Sequence, residues 1–244
     1  MMNIAVIFAG GVGSRMKTSS GVPKQFLEIG GIPILVHTLK NFEDTMGIDA
    51  IIVVMLEQYI GYTEKLVEDF NLNKVKKVVA GGKTGQESIY AGLKAAKDLE
   101  NELSGDRSIV LIHDGVRPFV EDGLIEKNIE SVEKYGSAIS CVPSKETVVR
   151  IDEDKNIGEV IDRSTVWLAR APQSFYLDDI LAEHEKAREN GRNDIIDSCT
   201  MMVDAGKKLH IVETISENIK ITTPEDYYVA KGLILRKEQM EEGK

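Results

Sequence analysis

Residues Ile4 to Ala9 form an unbroken apolar run, and Gly10-Gly11-Val12-Gly13-Ser14-Arg15-Met16 follows at once. Six apolar residues in a row read as a strand buried on both faces, which is the condition of a parallel sheet. The glycines then fall at the carboxyl end of that strand, where open α/β sheets bind their ligands. Gly10, Gly11 and Gly13 let the backbone curl with its N–H groups inward and no side chain in the way, as a row of phosphate oxygens requires. Arg15 and Lys24 follow as two fixed cations, placed to meet charge that a neutral loop cannot neutralise.

Two better-known loops are excluded. Gly11-Val12-Gly13-Ser14-Arg15-Met16 begins like the dinucleotide fingerprint but carries Met16 where that pattern needs glycine or alanine. Gly81-Gly82-Lys83-Thr84 looks like the end of a P-loop, yet the first glycine of that pattern would stand at Lys77. A turn that binds nothing is the plain alternative at residues 9 to 16. It needs one glycine and no cations downstream.

Beyond the loop, apolar spacing predicts helices over Pro33 to Phe42, Glu57 to Phe70 and Thr84 to Leu99. They alternate with strands at Ala50 to Met55, Val75 to Ala80 and Ser108 to Ile112. Such alternation predicts an α/β fold: an open, mostly parallel sheet with helices on both faces. His113-Asp114-Gly115-Val116-Arg117-Pro118 closes the fourth strand, so Asp114 should face the same crevice as the glycine loop. A carboxylate there suits a magnesium ion carried by a nucleotide, and a turn-closing or helix-capping aspartate is the plain alternative.

Gly136 to Val142 gives a fifth strand, after which the pattern changes. Thr147 to Ile151 and Ile157 to Ile161 read as strands around the polar turn Asp152 to Asn156. A hairpin of this size has too little core to stand alone, so it is expected to pack on a second subunit and make a homodimer. Trp167 to Phe175 should return to the body with Pro172-Gln173 as a bend, and Asp178 to Asn190 and Asp194 to Ala205 read as helices. A short strand, Leu209 to Val212, precedes a final helix from Pro224 to about Lys237. The expectation is one domain spanning 1–244, with an arm at 143–166 inserted in it.

A formal charge of −10 argues against a nucleic-acid partner held by a general basic surface. Residues 1 to 28 nevertheless carry Arg15, Lys17 and Lys24 against Glu28, a positive island suited to a small anion. Cys141 and Cys199 lack metal-ligand spacing and read as reduced core thiols. With no signal core and no apolar run of membrane-spanning length, a cytoplasmic protein without a membrane partner is expected.

Six segments together resemble a known family. Ala9 to Met16, Pro23-Lys24-Gln25, Gly81 to Ser88, His113 to Pro118, Asp162 to Trp167 and Asn218 to Asp226, in this order, are similar to the cytidylyltransferases that act on polyol phosphates. That family has two branches, acting on 2-C-methyl-D-erythritol 4-phosphate and on ribitol 5-phosphate. The resemblance implies a Rossmann-like nucleotidyltransferase fold and transfer of CMP from CTP to the acceptor's phosphate, with Mg2+ and release of pyrophosphate. It implies that Arg15 and Lys24 hold the triphosphate and act in catalysis. Ala9, Gly10, Gly11 and Gly13 would cradle phosphates, Gly82 and Ser88 would read the cytosine edge, and Asp114 would lie near ribose and magnesium. Arg117 and Lys220 would serve the acceptor, with Thr147 and Arg163 reaching across a dimer to its phosphate.

Three positions depart from the family pattern: Gly85 where an arginine is usual, Ala171 where a threonine precedes Pro172-Gln173, and Ile196 at a usual threonine or serine. Asp162-Arg163 with Trp167, and Pro224-Glu225-Asp226, lean slightly towards methylerythritol phosphate. Ala9-Gly10-Gly11 and Val116-Arg117-Pro118-Phe119 lean towards ribitol phosphate, which leaves 2-C-methyl-D-erythritol 4-phosphate slightly favoured as the expected acceptor. Two other readings stay open: a sugar-1-phosphate nucleotidyltransferase using UTP or dTTP, and a nucleotide-binding domain without turnover.

Overall fold

The structure is a computed structural model that describes residues 1–11, 22–103 and 107–242. In chain order the elements are β1 (Asn3–Phe8), the small pair β2 (Glu28–Ile29) and β3 (Ile32–Pro33), α1 (Ile34–Glu43), β4 (Ala50–Met55), α2 (Ile60–Asp69), β5 (Val75–Ala80) and α3 (Gly85–Leu103). Then come β6 (Ile109–Asp114), α4 (Leu124–Tyr135), β7 (Ser137–Pro143), β8 (Val148–Ile151), β9 (Ile157–Ile161) and β10 (Trp167–Tyr176). α5 (Leu177–Glu189), α6 (Ser198–Asp204), β11 (Ile211–Glu213) and α7 (Pro224–Glu242) complete the chain.

Among the described residues seven strands form one sheet in the order β11-β7-β10-β6-β1-β4-β5. β1 pairs in parallel with β4 and β6, and β10 alone runs against its neighbours. The mostly parallel sheet expected from strand and helix alternation is therefore present. Its strands are apolar throughout because both faces are covered. Ile4, Val6, Ile52 and Val54 face Ile89 and Leu93 of α3, Ile180 of α5 and Met201 of α6. Ala5, Ile7, Ile51 and Val53 face Leu35 and Leu39 of α1, Leu66 of α2 and Val132 of α4. The period of two along each strand supplies both layers from one run.

Packing is tight where α3 crosses the sheet. A Cβ at Gly92 would meet Val6 Cγ1 at 2.4 Å and Val54 Cγ2 at 2.7 Å, so only glycine lets the helix lie this close. Cys141 is buried and Cys199 partly so, both are free, and burial pushes the Cys141 thiol up to about 11. Both remain protonated at neutral pH, as expected of core thiols. No helix among the described residues is long and apolar enough to cross a membrane.

Boundaries differ from the sequence expectation in two instructive places. The helix expected from Asp194 to Ala205 is confined to Ser198–Asp204, because Asp197 caps it by accepting from the Thr200 amide at 2.8 Å. Residues 194 to 197 instead run as a loop whose Ile195 amide donates to Gln86 Oε1 at 3.1 Å. In β10 the pairing with β7 shifts between Ala169 and Gln173, around a cis Ala171-Pro172 bond, so the anticipated bend is a bulge within one strand.

β8 and β9 form a separate two-stranded ribbon. Val149 lies opposite Val160 and Ile151 opposite Ile157, which puts these four side chains on one face. Ile151, Val160 and Ile157 are 56 %, 64 % and 65 % exposed, an apolar surface open to solvent.

Candidate active site

A cleft of about 620 Å³ opens at the carboxyl ends of β1, β4, β5 and β6. Ala9, Gly10, Gly11, Lys24, Gly82, Ser88, Asp114 and Lys220, eight of the residues singled out in the sequence, line it together. Gly13 and Arg15 lie outside the described residues.

The start of the glycine loop is pinned from three sides. Ala9 donates its amide to Val54 O at 2.7 Å, and its carbonyl accepts from Gln25 Nε2 at 2.8 Å. A Cβ on Gly115 would come within 2.7 Å of Ala9 Cβ, so the turn after β6 must be glycine to lie against the loop. The buried Gln25 sits on the short 3-10 turn Lys24–Phe26, so the same turn anchors the loop and presents Lys24. Lys24 Nζ donates to Ile221 O at 3.1 Å, tying the first loop to the last.

On the β5 side, Glu87 Oε2 accepts from the amides of Lys83 at 2.6 Å and Thr84 at 3.3 Å, while Thr84 Oγ1 accepts from the Glu87 amide at 3.1 Å. This reciprocal cap at the start of α3 holds the Gly82 turn. A Cβ on Gly82 would strike Glu87 Cβ at 2.2 Å. Ser88 Oγ donates to Thr84 O at 2.9 Å and keeps acceptor capacity facing the cleft. A Cβ at Gly85 meets nothing within 4 Å, so packing does not account for glycine there.

Asp114 ends β6 and is buried. Its Oδ2 lies 3.1 Å from Arg117 Nε and its Oδ1 2.5 Å from Lys220 Nζ. Burial by itself would raise this carboxyl, but the charges of Lys220 and Arg117 outweigh it and hold the group ionised below its ordinary range. Arg117 lies behind the cleft wall, its Nη1 donating to Asn218 O at 2.7 Å. Burial drives the neighbouring His113 down to about 4, and its Nε2 donates to Arg117 O at 3.0 Å. His113 is thus a neutral support for the turn that presents Arg117.

Thr147 and Arg163 stand exposed on and beside the arm, outside the cleft of their own chain. Arg163 Nη1 donates to Lys145 O at 3.2 Å. The sequence reading did not single out Lys83, Thr84 or Thr222 in the cleft wall, nor Asn218 behind it. A readable signal existed for Thr84, since Thr84-x-x-Glu87 is a capping box at the start of an apolar-periodic helix.

The cleft wall carries Lys24, Lys83 and Lys220 with one carboxylate, Asp114, beside a glycine-rich loop, which fits a ligand with several phosphates. Comparison with known proteins agrees. Residues 3–237 match the model of the family described as "IspD: 2-C-methyl-D-erythritol 4-phosphate cytidylyltransferase". The chain belongs to this IspD family. A Streptococcus agalactiae serotype V protein named ribitol-5-phosphate cytidylyltransferase is 53% identical over 233 residues, covering 96% of this chain and 95% of the relative. A Clostridium novyi protein named 2-C-methyl-D-erythritol 4-phosphate cytidylyltransferase is 39% identical over 233 residues, covering 95% and 96%. The crystal structure of 4-diphosphocytidyl-2C-methyl-D-erythritol synthase from Anaerococcus prevotii superposes with a TM-score of 0.81 at 30% identity, covering 96% of each chain.

Proposed function

We propose that this protein transfers CMP from CTP to the phosphate of a small polyol phosphate and releases pyrophosphate. The observation that carries the reading is the convergence of the glycine loop, Lys24, Asp114 and Lys220 on one cleft. A phosphate monoester is already largely dianionic at neutral pH, so the attacking oxygen needs no general base. The cleft wall agrees with this: its one carboxylate among the described residues is Asp114, held ionised between two cations, and no histidine lines it.

The protein's task is to bring one polyanion against another and to stabilise charge that grows on the α-phosphorus and on the departing pyrophosphate. Loop amides and Lys24, with Arg15 expected beside them, receive the triphosphate. Ser88 and the Gly82 turn read the base, Lys220 holds the acceptor's phosphate while Arg117 supports Asp114 from behind the wall, and fixed positive charge lowers the barrier without reorganising. Magnesium fits these residues, because an ion bound chiefly through phosphate oxygens needs only one or two protein carboxylates. Asp114 would hold it once Lys220, 42% exposed, turns from Oδ1 to the acceptor's phosphate, and the ion would neutralise triphosphate charge.

For the acceptor we place ribitol 5-phosphate ahead of 2-C-methyl-D-erythritol 4-phosphate. The 53% identity to a relative named for ribitol 5-phosphate, against 39% to one named for methylerythritol phosphate, outweighs the slight lean of individual motifs. The apolar face of the arm supports a homodimer in which Thr147 and Arg163 complete the partner's site. The cytoplasm is the proposed location.

The deciding experiment follows pyrophosphate release with CTP or UTP, Mg2+ and each polyol phosphate. Release with CTP and ribitol 5-phosphate is expected. Preference for UTP, or silence with every acceptor from folded protein, contradicts the reading.

A further inference from the structure

Arg170 is a cation near this site that lies outside every motif quoted above. Its Nε is buried without a hydrogen-bond partner, and no carboxylate among the described residues pairs with its guanidinium. A half-buried arginine is ordinarily satisfied by an acid or by carbonyls. Here the formal charge that acts on it is another cation, Arg117.

The backbone fixes this placement. β10 runs antiparallel to β6 with Gln173 opposite Ile112. That pairing ends at Gln173, so the chain from Arg170 enters the sheet at the carboxyl end of β6, the end that carries Asp114. Pairing with β7 lapses between Ala169 and Gln173, and such a bulge re-aims the side chains it carries. Asn218 then locks the bulge to the site: its Nδ2 donates to Ala171 O at 2.8 Å, and its own carbonyl accepts Arg117 Nη1 at 2.7 Å. Lys220 follows two residues later.

Charge completes the picture. Arg117 and Lys220 already share Asp114, so adding Arg170 gives three cations against one carboxylate. Two positive charges are left without a counterion, which matches a phosphate monoester dianion. Sheet order says which phosphate: the base-reading turn follows β5 at one edge, the glycine loop follows β1 in the middle, and β6 and β10 lie on the far side. Partly exposed, Arg170 is within reach of an anion arriving from solvent on that side.

We propose that Arg170 binds the acceptor's phosphate, contributed by the same chain that holds CTP. This rests on the acceptor being a phosphate monoester, as the cytidylyl-transfer reading requires. The test uses full-length wild type, Arg170→Ala, Arg170→Gln and Arg170→Lys. Titration calorimetry measures binding of ribitol 5-phosphate, 2-C-methyl-D-erythritol 4-phosphate and unphosphorylated ribitol, steady-state kinetics gives KM for acceptor and for CTP, and sedimentation reports assembly. The expected result is an acceptor phosphate bound at least about tenfold more weakly by the alanine and glutamine variants, as for loss of a charge-assisted hydrogen bond. Affinity should return in part with lysine, while KM for CTP and the sedimentation coefficient stay as in wild type. Unchanged acceptor affinity, an equal loss for CTP, or dissociation of the dimer would overturn it, the last by assigning the guanidinium to a carboxylate of a second copy. Wild type that binds a polyol phosphate but releases no pyrophosphate would sink the cytidylyl-transfer reading alone, since the binding comparison still decides the role of Arg170. Wild type that binds neither phosphate would overturn both.

Discussion

Lys220 Nζ lies 2.5 Å from Asp114 Oδ1, joining the loop before α7 to the end of β6 across the mouth of the cleft. With Arg117 on the other oxygen, Asp114 joins two cations from separate segments. Its replacement by Asn leaves the buried Arg117 without its anion. Breaking a buried pair from one side costs about 3 to 5 kcal/mol, and the low end applies here because Lys220 is 42% exposed. Asp114→Asn should lower the urea midpoint accordingly and abolish most turnover. The acid dependence has a definite sign. A carboxyl held below its ordinary 3.8 contributes stability that is complete above that value and fades as pH falls towards the folded one. Wild type should therefore lose this contribution only below about pH 4, and the Asn variant should lack that step.

Lys24 is held by the short turn that also carries Gln25. Because Gln25, not Lys24, fixes the glycine loop through Ala9 O, Lys24→Ala should fold normally. Turnover should drop by about 10²-fold or more, the usual cost of one preorganised donor. A thermal melt beside a pyrophosphate assay checks both halves, and unaltered turnover would show that the cation is dispensable.

His184 of α5 is buried with neither ring nitrogen hydrogen-bonded, and burial, reinforced by Arg188, drives it down from 6.5 to about 4. Unfolded chains take up its proton between those values and the folded one does not, so stability falls as pH drops from 6.5 towards 4, by up to about 3 kcal/mol. His184→Leu removes both unpaired nitrogens and the proton linkage. Its melting temperature should match or exceed wild type at pH 7.5 and fall less at pH 5, as calorimetry would read.

Gly92→Ala tests the closest approach of α3 to the sheet. Its methyl would press on Val6 and Val54, and overpacking of this kind costs about 1 to 3 kcal/mol. Denaturant titration should show that loss even though alanine is the better helix former.

The arm carries the oligomer prediction. Ile157→Glu with Val160→Glu should turn the proposed dimer into monomers by sedimentation and reduce turnover, because two like-charged faces then meet. A monomer with full activity would refute a shared site.

What sequence alone determined was the layered core and the position of the loop. Ile4 to Ala9 and Ala50 to Met55 are apolar at every position, which only a sheet covered on both faces can accommodate. Gly10 and Gly11 at a strand's carboxyl end marked the cleft for the same local reason. Tertiary structure decided the rest. That Lys220 meets Asp114, that Asn218 ties Arg117 to the β10 bulge, and that Arg170 has no acid partner among the described residues are relations between distant segments. Spacing along the chain carries no information about them, because an ion pair depends on distance in space and its strength on the burial that packing creates.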